Sequence, residues 1–158
     1  MTELAEYRAR LIARYISQPG ELAKIFEGIP GDRIVRELEP GGWSPHQILS
    51  HIRDVEAGAF VPRIGLILEE ESPKLQSFDP EEWMDEHYNA QEAVREILDE
   101  IQRLRSKGSK MIQPLDPDDW SREGKHPSFG VRTLQWWIEY SVSHFEEHLG
   151  PLAEAREA

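Results

Sequence analysis

Residues 131–150, VRTLQWWIEYSVSHFEEHLG, carry the period that decides the fold. Leu134, Ile138, Ser141, Phe145 and Leu149 recur every three or four positions, which sets them on one face of an α-helix. Gly150-Pro151 is a stop signal, so the helix is predicted from about Val131 to Gly150. Within it, His144 and His148 stand one turn apart on a shoulder of the apolar stripe, and Trp137 shares that shoulder. Two imidazoles so placed can present nitrogens to one metal ion. The same pattern also suits two hydrogen-bonded core histidines.

Working outward, Ser44-Pro45-His46-Gln47 announces an earlier helix. Ser44 reads as the N-cap, Pro45 takes the first helical position and Gln47 completes a capping box. Its predicted core stripe is Ile48, Ile52, Val55, Ala59 and Leu66, with a kink at Pro62. Upstream, Leu4, Tyr7, Leu11 and Tyr15 form the stripe of a first helix that Pro19-Gly20 should end, with a short helix over 21–27. Glycines and prolines from Gly28 to Gly42 mark an irregular connection. Asp79-Pro80-Glu81-Glu82 repeats the start signal for a third helix, with Ala90, Val94, Ile97, Leu98, Ile101 and Leu104 inward and Gly108 as its stop. Residues 109–130 read as a long connection with one helical turn at Asp118-Asp119-Trp120. No stretch alternates with period two. The expectation is an all-α four-helix bundle forming a single domain over residues 1–158.

Composition narrows the function classes. The 158 residues carry 18 Lys plus Arg against 30 Asp plus Glu, a formal charge of −12 that repels phosphate backbones and anionic lipid. No nucleic acid and no membrane are therefore expected as partners. Without cysteine the chain can form neither disulfides nor thiolate metal sites, and it has no thiol nucleophile of its own. MTELAEYRARLIARYIS lacks an apolar signal core, and apolar runs such as Leu66-Ile67-Leu68 are too short to span a bilayer. A cytoplasmic location is the default.

A third histidine can join the pair. His51 lies at the edge of the second helix's stripe, on the side that holds Gln47 and Gly58, about two turns from that helix's start. His148 is near the end of its own helix. If the two helices are antiparallel neighbours, all three rings come to one level. His46 points away from the stripe and reads as surface, His87 reads as exposed, and His126 belongs to the opposite end of the last helix. Asp54, one turn after His51, is a candidate to orient an imidazole or accept a proton, or else a solvated carboxylate. Three neutral imidazoles leave a divalent cation its full charge and an open position, the arrangement of catalytic rather than structural sites.

GWSPHQILSHIRDVE followed by HPSFGVRTLQWWIEYSVSHFEEHL, with ESPKLQSFDPEEW between, resembles the DinB-like superfamily of DinB/YfiT-type proteins, from the second helix to the C-terminus. The resemblance implies a bundle of up-down-down-up topology and a divalent metal held by histidines that map onto His51, His144 and His148. Zinc and nickel both suit such ligands. Parallel second and third helices need a crossover, and residues 70–79 can span about 33 Å when extended. Trp43, Gln47, Gly58 and Trp137 are expected to line the pocket, with its mouth at Gly41-Gly42-Trp43, the start of the third helix and the tail after Gly150. Bacillithiol transferases and mycothiol-dependent maleylpyruvate isomerase are relatives, which implies a metal-dependent low-molecular-weight-thiol S-transferase acting on a small-molecule substrate. A metal-dependent hydrolase and a non-enzymatic metal-binding protein stay open as alternatives, as does a homodimer.

Overall fold

Pro19 does not end the first helix. In the computed structural model, which describes residues 2–156, α1 runs through Glu3–Glu27 with Pro19 inside it. A proline there has no N–H for the carbonyl four residues back. The Tyr15 carbonyl instead accepts from Nη1 of Arg105 at 2.6 Å. The expected stripe holds at Leu11 and Tyr15, whereas Leu4 and Tyr7 are exposed and the Tyr7 hydroxyl bonds Glu139.

After the short α2 (Gly31–Ile34), Ser44 caps α3 (Pro45–Val55) through the full capping box with Gln47. The helix then passes through a π-helical turn, Glu56–Phe60, into α4 (Val61–Glu69). There the Val61 N–H reaches back five residues to the Glu56 carbonyl, immediately before Pro62. The extra residue in that turn shifts the inward face by one position. Phe60 at its end and Ile64 and Ile67 beyond it are buried, and Leu66 is only partly buried.

Residues 70–79 then run back to the π-helical turn, where Phe78 packs on Gly58, and pair with a strand. The Leu75 N–H donates to the Lys125 carbonyl at 2.8 Å, and the Lys125 N–H to the Pro73 carbonyl at 2.9 Å. Asp79 caps α5 (Pro80–His87) as predicted, but the third helix is interrupted before α6 (Val94–Ile112). Ala90, expected inside, is exposed in the connecting segment. Gly108 lies within α6 rather than ending it. A Cβ there would stand 1.9 Å from the Tyr15 hydroxyl, so this glycine admits the Tyr15 ring between α1 and α6. The connection beyond holds a 3₁₀ turn at Asp119–Ser121 and a hairpin that the helical reading missed. Strands β1 (Glu123–His126) and β2 (Gly130–Thr133) pair antiparallel from Glu123↔Thr133 to His126↔Gly130. Four residues per strand are too few to display alternation. The final helix α7 (Leu134–Glu154) starts at the Thr133 cap and continues past Gly150-Pro151.

Helices α1, α3–α4, α6 and α7 enclose the core. Ring contacts between α3–α4 and α7 step in opposite directions along the two chains. His51 meets His148 at 5.0 Å, Phe60 meets Tyr140 at 5.3 Å and Arg63 lies over Trp137 at 4.8 Å, so the two helices are antiparallel. Among the described residues no helix is long and apolar enough to cross a membrane.

Candidate metal centre

The antiparallel pairing brings His51 of α3 to the level of His144 and His148 of α7. Their ring centroids are 5.0 Å apart for His51–His144, 5.0 Å for His51–His148 and 4.8 Å for His144–His148. One ring nitrogen from each lies within 4.8 Å of the other two, and Nε2 of His51 is 3.0 Å from Nε2 of His144. His51 is buried at 6% exposure, while the other two rings are half-buried. Trp43 packs on His51 at 4.9 Å and Phe60 on His144 at 5.7 Å.

This environment keeps the rings neutral. Burial, with a smaller repulsion from His148, lowers the His51 pKa to about 4. Burial likewise lowers His144 to about 3, helped by its neighbours His148, His51 and Arg105, and it lowers His148 too. The donor set fits a divalent cation: neutral imidazoles offer lone pairs, and tetrahedral ligands at ~2.0–2.1 Å lie about 3.3 Å from one another. Nδ1 of His51 is buried without a partner. Among the described residues no carboxylate joins the cluster as a fourth ligand.

The other expected site residues separate. Trp43 covers His51 and borders one cleft with Pro151 and Ala155 and another with Gln47, Met84 and Tyr88. The Gln47 side chain is committed to the Ser44 N–H at 2.9 Å. Gly58 does not leave room beside the histidines. Phe78 packs on it so closely that a Cβ would meet the ring at 2.5 Å, and its open side faces a separate cleft that Asp54 also lines. Asp54 does not reach His51 Nδ1; it pairs with Arg53 at 3.0 Å, and burial raises its pKa despite that partner. Trp137 is fully buried, beneath Arg63.

Two histidines are corrected. His46 is 2% exposed rather than on the surface, held by the Tyr88 hydroxyl at 2.6 Å and the Glu92 carbonyl at 2.7 Å. These bonds tie the loop between α5 and α6 to α3, so the third helix breaks there. His126 is not remote, because the hairpin carries it to a cavity of about 280 Å³ that also reaches His144. Phe60, Arg63, Phe78, Phe129 and Tyr140 share that wall. The histidine cluster is therefore approached from the hairpin side, while Trp43 covers His51. Arg63 and Phe129 were missed from sequence, although an arginine four residues after Ala59 on an apolar stripe was a usable signal. His87 is exposed as expected, stacked on Trp83 at 3.8 Å.

Three imidazoles drawn from two antiparallel helices at one level define a helical-bundle protein with a three-histidine ligand set. The DinB superfamily profile matches residues 14–152, and the chain belongs to that superfamily. Its structure is similar to that of YfiT from Bacillus subtilis, described as "a probable metal-dependent hydrolase with an unusual four-helix bundle topology". The TM-score is 0.87 at 21% identity, over 99% of this chain and 89% of that one. At that identity the likeness establishes the fold. No functionally curated protein matches the sequence.

Proposed function

We propose that the protein is a divalent-metal-dependent enzyme acting on a small molecule, with His51, His144 and His148 holding zinc or nickel. One observation carries this reading: three neutral, half-buried or buried imidazoles converge with no fourth protein ligand among the described residues, beside a cavity that reaches one of them. When bound, such an ion keeps its full charge and lowers the pKa of a thiol or water on its open side. The reading includes the up-down-down-up order. Arg8 and Arg14 of α1 meet Gln135 and Glu146 of α7, while Arg53 and Glu56 meet Glu100 and Arg105 of α6, which supports parallel pairing in both cases.

Among metal-dependent reactions, transfer of a low-molecular-weight thiol fits the chain best. Hydrolysis is aided by a base that takes the proton of water, and among the described residues no Asp or Glu lines the cavity at His144, where His126 is the one imidazole beside it. Asp54 is tied to Arg53, and Glu56 to Arg105. An external thiol, with its much lower pKa, can lose its proton without such a base, and the chain supplies no thiol itself. Hydrolysis is the second reading, favoured by the description of YfiT.

Protein prepared without a nickel column should carry about one divalent ion per chain. His148→Ala, dialysed beside wild type in the same zinc buffer, should lose that ion and keep its helicity. Its affinity should fall by more than the roughly 10–100-fold typical of losing an outer-shell partner. Retention of one tightly held ion by the variant would refute the three-histidine site. Metal-loaded protein should join thiols to small electrophiles in a conjugation screen. Ester or amide cleavage without thiol would favour hydrolysis.

A further inference from the structure

The cavity beside His144 has a second polar feature, on the wall formed by α4 and the hairpin. Arg63 is only 8% exposed there. Its Nη2 donates to the Gln76 carbonyl at 3.0 Å, and its Nε has no partner. With 30 Asp and Glu in the chain against 18 Lys and Arg, a buried guanidinium would readily find a carboxylate. Among the described residues none pairs with it, and none lines this cavity.

The histidine beside it removes the remaining acceptor. The backbone N–H groups of Ser128 and Phe129 donate to His126 Nδ1 at 3.0 and 3.1 Å. A ring nitrogen that accepts these bonds carries no proton, so the ring is neutral and its N–H is at Nε2. Burial and the charge of Arg63 both favour that neutral form. Yet Nε2 is the atom that faces Arg63 Nη2, at 3.3 Å. Donor meets donor, so the contact is no hydrogen bond, and both groups are left to bond a common acceptor. Around them stand Phe60, Phe78 and Phe129.

From this juxtaposition, and resting on the metal-enzyme reading above, we propose that Arg63 and His126 Nε2–H anchor the oxyanion group of the substrate, a small organic anion whose apolar body lies against the phenylalanines and extends toward His144. A guanidinium matches carboxylate and phosphate alike through parallel N–H donors. The cavity of about 280 Å³ restricts the body to a small one, near the lower end of ligand pockets.

The test is a set of titrations followed by calorimetry and by the His126 side-chain NMR signals. Benzoate, phenyl phosphate, benzamide and inorganic phosphate are each added to zinc-loaded and to metal-free protein. Benzoate or phenyl phosphate should bind saturably and shift the His126 Nε2–H signal, and the stronger of the two identifies a carboxylate or a phosphate substrate. Benzamide and inorganic phosphate should each bind at least about tenfold more weakly, the first lacking the charge and the second the apolar body. Arg63→Gln should weaken the organic anions by about tenfold or more and leave zinc affinity unchanged, while Arg63→Lys should retain part of the binding. If Arg63→Gln does not fold, the wild-type comparison of benzoate with benzamide decides. Equal binding of that pair, or unaltered binding by a folded Arg63→Gln, overturns the proposal. So does anion binding that requires the metal and ignores Arg63. If wild type held no metal but metal-free protein still bound benzoate through Arg63, the metal reading would fail and the anion site would stand.

Discussion

Arg105 and Glu56 lie at 1% exposure, as deep as His51 at 6%, but these two groups of buried polar atoms are wired in opposite ways. At mid-bundle the guanidinium satisfies its surroundings. It bonds Glu56 at 2.9 Å, the Tyr15 carbonyl at 2.6 Å and Gln18 at 2.9 Å, and the Ser141 hydroxyl donates to the same Glu56 oxygen at 3.1 Å. The guanidinium meets acceptors and opposite charges meet. At the histidine cluster, two ring nitrogens lie 3.0 Å apart with only imidazoles in the cluster around them, and His51 Nδ1 has no partner. The first arrangement balances its charges without a ligand and reads as architecture, although Glu56 Oε2 and the Tyr15 hydroxyl keep no hydrogen-bond partner. The second has its nitrogens turned on one another, which is what a cation would relieve. Burial alone does not mark a site; a cluster of buried, neutral metal-ligating nitrogens with no counter-charge does.

The largest expected effect breaks the architectural half. Arg105→Met strands the Glu56 carboxylate in the core and leaves the Tyr15 carbonyl, opposite Pro19, without its donor. Breaking one partner of a buried ion pair costs about 3–5 kcal/mol. Urea denaturation should show that loss, and adding Glu56→Gln should recover much of it. A loss below about 1 kcal/mol would mean that the network does not brace the bundle.

A second test addresses the histidine half, in metal-free protein. Unfolded histidines titrate near 6.5, whereas in the fold His51 is lowered to about 4 and His144 to about 3. Between those values the unfolded chain binds more protons than the folded one, so stability rises with pH. The contribution is fully present above about 6.5 and is lost as pH falls from there towards 4 and 3, by about 1.4 kcal/mol per pH unit for each proton of difference. His144→Asn should flatten that decline between pH 7 and 5. A parallel decline in variant and wild type would assign the loss to other groups.

Smaller effects sharpen the contrast. Gly108→Ala pushes a methyl into the Tyr15 hydroxyl and should cost about 1–3 kcal/mol, measured by thermal unfolding, with no change in metal content. Asp54→Asn should change least. Because its carboxylate serves Arg53 and not His51, metal affinity should stay well short of the 10–100-fold loss expected of an orienting partner. A loss of that size would place Asp54 behind the metal after all.

By itself the sequence determined what depends on local spacing. Helical period and the Ser44 and Asp79 caps mark where the long helices lie, because they act within one or two turns. The four-residue interval of His144 and His148, with the family resemblance, pointed to their pairing with His51. What failed were signals whose local meaning a distant partner reversed. Pro19 and Gly108 read as stops, but Arg105 takes the carbonyl freed by the one and Tyr15 fills the space left by the other. His46 read as surface until Tyr88 and Glu92 folded over it. Only the tertiary structure decided where His126 belongs. A hairpin of four-residue strands, invisible to periodicity, brings it beside Arg63, 63 positions away in sequence. Periodicity assigns a residue to a face of its own element, whereas which donors are left unmatched depends on what the other elements bring to that face.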